Sequence, residues 1–201
     1  LLAFPEILDK AELEDLAHRV RILDNIMSEK VPSDELLKTL KNTRLLAIPA
    51  TYSQGGFEAV LTERCKLLET LSKNVEAARY IKNHWLGTTS VNNGLAQEHL
   101  DAVMFDLTTG KHSITLCIQE KVPNSPNKAD LNCKASCNIE KEWTISGTKI
   151  CKSDENGYFI IACSVDNEPV QMFLIHPNAS GVKINSSDST ISFRNTPGKS
   201  Y

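Results

Sequence analysis

The chain has 201 residues and a formal net charge of −3, with 22 basic and 25 acidic residues. This near balance argues against a nucleic-acid partner or a charged membrane surface. Hydrophobic residues make up 41% of the chain, which is typical of a globular protein that buries a core. No apolar run approaches the roughly 20 residues that a transmembrane helix needs. Six cysteines are too few for a disulfide scaffold, which favours a reducing compartment.

The first half of the sequence carries apolar residues at helical spacing. Residues three and four positions apart lie on one face of a helix, where they pack into a core. Ser33 is a possible N-cap of the second of these helices. The segments 75–86 and 96–107 complete a set of about five predicted helices. The apolar positions of the first three are Leu13, Leu16, Val20, Leu23 and Met27, then Leu36, Leu37 and Leu40, then Leu61, Cys65 and Leu68.

The hydrophobic period changes near Gly110, where short strands separated by turn residues begin. Several of these strands alternate apolar and polar side chains, as half-buried antiparallel strands do. The sequence therefore predicts an α+β protein. An N-terminal all-α helical domain would span residues 1–110, and an antiparallel β barrel or sandwich would span residues 111–201. The predicted strands are 113–120, 131–139, 143–146, 158–165, 170–175 and 190–196.

Six short motifs follow one another along the chain. They are LLAIPATY at 45–52 with GF at 56–57, HWLG at 84–87, TGK at 109–111, CIQE at 117–120, EWTISGTK at 142–149 and FRNT at 193–196. Their order resembles that of the acyl-CoA dehydrogenase motifs GLFGLxVPEEYGGLGF, HQSIG, EEQKEKYLPKLASGE, CLTE, YILNGSK and FENT, so the chain resembles the N-terminal and middle domains of that family. The opening FPE at 4–6 and the FRNT motif make the resemblance greatest to the very-long-chain branch. That branch includes a mitochondrial member that takes part in complex I assembly as well as dehydrogenation.

The resemblance implies an FAD-dependent oxidation of fatty acyl-CoA to enoyl-CoA. It also implies electron transfer to an electron-transfer flavoprotein, a homo-oligomer, and a mitochondrial location in the matrix or at the inner membrane. The catalytic base of the family comes from its C-terminal four-helix domain or from the helices that lead into it. No part of this sequence resembles that domain, so no catalytic base is assigned.

The flavin-contacting residues of the family can be carried over position by position. The first contact loop of the family reads T-E-P-x-x-G-S-D, which aligns Gln119, Glu120 and Ser125 with its threonine, glutamate and serine. The second reads W-I-[TS]-N-G, which aligns Cys151 with the tryptophan and Ser153 with the hydroxyl residue. These five residues are the candidate FAD-binding residues. Threonine and tryptophan are replaced, so the resemblance also allows a decayed flavin site.

Two functions therefore remain open. One is a truncated or degenerate acyl-CoA dehydrogenase, and the other is a non-catalytic binding or assembly protein on the same scaffold, such as a complex I assembly factor. Glu120 could instead be a strand-end carboxylate, and Ser153 a turn hydroxyl. Cys133 and Cys137 lie four residues apart but lack the further ligands of a zinc site, so no metal is expected. Trp143 is expected to be a structural residue that covers one face of a sheet.

Overall fold

The computed structural model describes most of the chain: residues 40–72, 75–120, 131–140, 142–151, 157–165, 168–176, 178–182, 185–187 and 198–200, together with 11, 14, 15, 18, 21 and 38. The chain divides into two compact units, Leu1–His112 and Ser113–Tyr201. The described helices lie in the first unit, and the described strands lie in the second. Among the described residues, no helix is both long and apolar enough to cross a membrane.

The first unit is helical. Its helices are α1 (Leu61–Leu71), α2 (Val75–Gly94) and α3 (Gln97–Thr108), and two short 3-10 turns precede them at Leu45–Ala47 and Tyr52–Gln54. Residues 11, 14, 15, 18 and 21 are also helical and exposed. Their spacing marks the solvent face of the first predicted helix, whose apolar positions lie outside the described residues.

The core of the helical unit combines aliphatic packing with one buried hydrogen bond. The indole Nε1 of Trp85 donates to the carbonyl oxygen of Leu45 at 2.6 Å, so the polar atom of this buried ring is satisfied. This bond joins α2 to the first 3-10 turn across 40 positions of sequence. The residues of this core are Leu40, Leu45, Ile48, Ala59, Leu67, Leu71, Ile81 and Trp85.

Helix α2 continues to Gly94, eight residues beyond the predicted end at residue 86. The sequence of the additional turns is rich in hydroxyl residues, which usually indicates a helix end or a loop. In the structure, Thr88, Thr89 and Ser90 each donate a side-chain hydrogen bond to the carbonyl oxygen four residues earlier. Their hydroxyls are thus satisfied within the helix.

The second unit contains two sheets. Its strands are β1 (Ile114–Cys117), β2 (Lys134–Cys137), β3 (Trp143–Ser146), β4 (Ile150–Cys151), β5 (Tyr158–Val165), β6 (Glu168–Ile175), β7 (Asn185–Ser187) and β8 (Gly198–Ser200). In the larger sheet, β5 pairs with three strands, which are β1, β2 and β6. The last strand of this sheet, β3, pairs with β2. The smaller sheet has the order β4-β8-β7.

The α+β architecture is confirmed, and the larger sheet is mixed. Strand β5 is antiparallel to β6 but parallel to β1 and β2, whereas the sequence predicted antiparallel pairing throughout. Strands β3 and β5 have the predicted bounds. The short strands β4, β7 and β8 were not predicted, and the predicted strand 190–196 lies outside the described residues.

Trp143 is less buried than its predicted structural role requires. Its side chain packs edge-to-face on Phe173, with the ring centroids 4.9 Å apart, but the residue is 45% exposed. The ring lies over one part of the sheet and contacts solvent on its other side.

Candidate functional site

The two predicted flavin-contacting segments are adjacent in the β unit. Gln119 and Glu120 follow β1, and Cys151 ends β4. The backbone N–H of Ile150 donates to the carbonyl oxygen of Gln119 at 2.8 Å. This bond brings together residues that the sequence separates by 31 positions. Ser125 and Ser153 lie outside the described residues, and for Cys151 only the backbone is described.

Glu120 is the centre of a buried polar cluster in the β unit. Its Oε1 accepts hydrogen bonds from Lys149 Nζ at 2.5 Å and from the backbone N–H of Cys133 at 2.9 Å. Its Oε2 accepts a bond from the backbone N–H of Asn132 at 2.7 Å. The side chains of both Glu120 and Lys149 are only 2% exposed. One carboxylate thus connects the end of β1 to the start of β2 and to the turn after β3.

The electrostatics of this cluster favour the charged carboxylate. Burial by itself raises the pKa of Glu120, because the charged form loses its hydration. The hydrogen bond from Lys149, the two backbone amides and the positive charge of Lys149 oppose burial, and together they hold the pKa below the ordinary value of 4.5. A buried ion pair is stable only when further hydrogen bonds satisfy its atoms, and the amides of residues 132 and 133 fulfil that condition for Glu120.

Gln119 and Glu120 therefore differ in what they offer to a ligand. Three internal donors occupy the carboxylate of Glu120. The backbone of Glu120 is therefore the part of this residue that could contact a ligand. Gln119 is exposed and has a carboxamide that can both donate and accept. The backbone carbonyl oxygen of Gln119 accepts a hydrogen bond from the backbone N–H of Ile150 in β4. This bond fixes the position of Gln119 after β1.

A cavity of about 590 Å³ lies against one face of the larger sheet. Ile145, Phe159, Ile161 and Ile175 supply most of the apolar wall, and Lys149 and Cys133 also line the cavity. Small-molecule sites are commonly apolar pockets of this size with a few polar groups. Lys149, one partner of the buried ion pair, thus borders this cavity.

Gly147 allows a very close approach between the turn after β3 and the start of β2. A Cβ atom at this position would lie 2.6 Å from Cα of Cys133 and 2.8 Å from its Sγ. The φ angle of Gly147 is 149°, which is in the region where other residues are strained. Only glycine fits here, and this fit places Lys149 within reach of Glu120.

Two buried thiols lie beside the ion pair. Cys133 Sγ and Cys163 Sγ are 3.5 Å apart, because the start of β2 runs parallel to β5 with Lys134 opposite Ser164. Burial, followed by the hydrogen bond and charge interaction with Cys133, raises the pKa of the Cys163 thiol to about 12. Cys163 is therefore a protonated thiol at neutral pH. Cys137, which the sequence grouped with Cys133, is exposed.

The helical unit buries a titratable group of a different kind. His84 is 1% exposed, and within the described part of the chain neither ring nitrogen has a hydrogen-bond partner. Burial lowers the pKa of His84 to about 4, and the nearby backbone of Leu107 opposes this only weakly without reaching hydrogen-bond geometry. The ring stacks on Tyr80, with centroids 6.5 Å apart. His84 is thus a neutral core residue at physiological pH.

The described residues contain no group of three or more His, Cys, Asp or Glu side chains that could hold a metal ion. Two residues of the site were not assigned a role from the sequence. Lys149 was recognised only as part of a family-like motif, and Cys163 was not considered. The resemblance of EWTISGTK to the family motif YILNGSK was the available signal for Lys149. For Cys163, only a correct strand register would have revealed its partner.

No family model and no curated protein matches this sequence. Solved structures do match. A glutaryl-CoA dehydrogenase from Mycobacterium smegmatis is 14% identical with a TM-score of 0.77, over 96% of this chain and 52% of its own. A variant of the Tcur3481-Tcur3483 steroid ACAD is 18% identical with a TM-score of 0.76, over 94% of this chain and 54% of its own. PigA, in a structure with FAD and proline, is 19% identical with a TM-score of 0.75, over 96% and 55%.

These similarities establish the fold. The chain spans about half the length of each of these structures, and the matched region includes nearly all of this chain. At such low identity, the ligands and reactions of the neighbours are properties of those proteins. The chain has the helical and β architecture of the acyl-CoA dehydrogenase-type flavoproteins.

Proposed function

We propose that this chain is the flavin-side part of an acyl-CoA dehydrogenase-type protein. The observation that carries the proposal is the hydrogen bond between Ile150 and Gln119. It joins the two segments that resemble the two flavin contacts of the family, although these segments are far apart in sequence. The fold of the neighbouring structures, one of which contains FAD, supports the same assignment.

The described residues fit a flavin at this edge of the β unit. Gln119 offers an exposed carboxamide, which can pair with both donors and acceptors of a flavin ring. The buried hydrogen bond between Lys149 and Glu120 joins the chain after β1 to the chain before β4. The backbone at residues 119 and 150 is therefore fixed before a ligand binds. Ser125, Cys151 and Ser153 complete the proposed binding residues. The chemistry that a bound flavin would supply at this place is that of a hydride acceptor for the β carbon of an acyl group.

The substrate and partners follow from the same proposal. A complete protein of this type would oxidise a fatty acyl-CoA, pass electrons to an electron-transfer flavoprotein and form a homo-oligomer. The motifs FPE and FRNT favour the very-long-chain branch and a mitochondrial location. The resemblance assigns no residue of this sequence as the catalytic base.

The second candidate is a non-catalytic binding or assembly protein on the same scaffold, such as a complex I assembly factor. The observation that favours it is the replacement of two flavin-contacting residues of the family. Gln119 stands in place of threonine, and Cys151 in place of a tryptophan, whose ring contact is worth on the order of 1 kcal/mol beyond its buried area. The two candidates differ in whether this chain binds FAD.

Titration of the purified chain with FAD, followed by flavin fluorescence, separates the candidates. A ligand site normally buries about 70–90% of its ligand, and this chain supplies about half of the architecture. We therefore expect weak binding, with a Kd on the order of tens of micromolar. Gln119→Ala should weaken binding several-fold, because it removes the carboxamide while leaving the backbone bond to Ile150.

Gln97→Ala is the matched control, because Gln97 is also exposed but lies in the helical unit. It should bind FAD as the unmodified chain does. Absence of binding at millimolar FAD would refute the flavin proposal and leave the assembly function. Binding that is unaffected by Gln119→Ala would place the flavin elsewhere.

A further inference from the structure

We propose that Cys133 and Cys163 form a peroxide-reactive dithiol that closes to an intramolecular disulfide. The site is independent of flavin binding. Its two sulfur atoms are 3.5 Å apart, and both residues are buried in the same sheet.

The backbone allows the two sulfur atoms to bond. Cys133 immediately precedes β2, and the backbone N–H of Ser164 donates to the carbonyl oxygen of Cys133 at 2.9 Å. The register therefore places Cys133 opposite Cys163 on neighbouring strands. Neighbouring strands are about 4.7–4.9 Å apart, and disulfides join Cα atoms about 4.4–6.8 Å apart. Small rotations of the two side chains can thus bring the sulfur atoms to bonding distance.

The surroundings distinguish the roles of the two thiols. Cys133 lines the cavity of about 590 Å³, which is wide enough for a molecule as small as hydrogen peroxide. Gly147 packs directly against Cys133, so the cavity side is the side from which a peroxide can reach the sulfur. Cys163 remains protonated and can donate its S–H to Cys133. Cys133 is therefore the attacking sulfur, and Cys163 is the resolving thiol.

The reaction balances with a hydroperoxide as the only oxidant. Cys133 loses its proton to water and attacks a peroxide oxygen, the O–O bond breaks, and a sulfenic acid and water form. The sulfur of Cys163 then attacks Cys133 Sγ. The S–S bond forms, the S–O bond breaks, and the departing hydroxyl takes the Cys163 proton to leave as water. Two thiols are oxidised, and one hydrogen peroxide is reduced to two water molecules.

Peptide mapping of the whole chain under non-reducing conditions, after treatment with hydrogen peroxide, tests the proposal directly. The expected product is one linked peptide pair containing Cys133 and Cys163, with a mass lower by two hydrogen atoms and reversed by dithiothreitol. Cys163→Ser should instead accumulate a sulfenic acid at Cys133 that dimedone labels, because the resolving thiol is absent.

Cys117→Ser is the matched control, since Cys117 is a fully buried cysteine of the same sheet whose Sγ bonds to the carbonyl oxygen of Thr115. This variant should form the disulfide as the unmodified chain does. The proposal fails if peroxide leaves both thiols free. It also fails if Cys133 is oxidised to a sulfinic acid while Cys163 stays a thiol, or if the disulfide joins Cys65 or Cys137 instead. The unmodified chain decides between these outcomes even if a variant does not fold.

Discussion

Each unit of this protein buries an ionisable side chain, and the two side chains differ in charge. The helical unit keeps His84 uncharged, without hydrogen bonds from the described residues to its ring. The β unit keeps Glu120 charged, with a lysine and two backbone amides around it. A buried charge is stable only when nearby groups replace its hydration. The pleated strand ends can supply amides to a carboxylate, whereas the amides within a helix are already paired.

The largest expected effect is the loss of one partner of the β-unit ion pair. Lys149→Met leaves a buried carboxylate without its cation, and Glu120→Gln leaves a buried ammonium without its anion. Removing one partner of such a pair typically costs about 3–5 kcal/mol. Urea denaturation should show a loss of unfolding free energy in this range for each variant. The double variant should recover part of the loss, since neither charge is then left alone.

The ion pair between Lys111 and Asp106 is the matched control. Its Nζ–Oδ1 distance is 2.9 Å, but the lysine side chain is 63% exposed. Lys111→Met should therefore cost only about 0–1 kcal/mol. Equal losses for Lys111→Met and Lys149→Met would show that burial does not control the strength of these pairs.

The second prediction concerns His84 and pH. The pKa in the folded state, about 4, is below the ordinary value of 6.5, so the unfolded chain binds a proton more readily between these values. Stability from this residue is fully present above pH 6.5 and is lost as pH falls toward 4. The loss should reach roughly 3 kcal/mol. Glu120, whose pKa is below 4.5, begins to lose its contribution only below that value.

Urea denaturation at several pH values between 7 and 4.5 measures this slope. His84→Leu should flatten it, because the variant has no group to protonate at that position. His99→Ala should keep the slope, since the His99 side chain is 67% exposed. A slope that survives in His84→Leu would assign the pH dependence to another group.

The third prediction compares the two tryptophans, and Trp143→Ala is the variant with the smaller expected effect. Trp143, with an exposed fraction of 45%, should lose roughly 2 kcal/mol on replacement by alanine, about half the usual value for a fully buried ring. Trp85→Ala in the helical unit should lose about 3–5 kcal/mol, because the ring is buried and donates to Leu45. Thermal melts of the two variants measure the difference. Equal shifts in Tm would indicate that Trp143 is as well packed as Trp85.

The sequence was most informative where local pattern determines structure. A short apolar run between two turns predicted β5 with its observed bounds, and the spacing of apolar residues predicted α1 and α3. Helix α2 was predicted too short because its hydroxyl residues indicated a helix end. Their hydrogen bonds to carbonyl oxygens four residues earlier form only once the helix exists. The strands β4, β7 and β8 have two or three residues each, which is too short for a period to be recognised.

The candidate site was harder to predict because its contacts are non-local. Motif resemblance placed Gln119 and Glu120 where a loop opens after β1, but it gave no reason to expect a buried carboxylate. The Lys149–Glu120 and Cys133–Cys163 contacts connect positions 29 and 30 residues apart. They depend on the register of parallel strands, which alternation of side chains does not specify.

The position of β5 also affects the order in which the protein can fold during synthesis. Strands β1 and β2 both pair with β5, so residues 114–117 lack that partner until the chain has been made through residue 161. The described helices of the first unit end at residue 108, and domains commonly fold in the order of synthesis. A ribosome stalled before Tyr158 would thus carry a foldable helical unit followed by unpaired strands. Such strands favour aggregation, so rapid translation through this segment, or chaperone binding to it, should improve the yield of soluble protein.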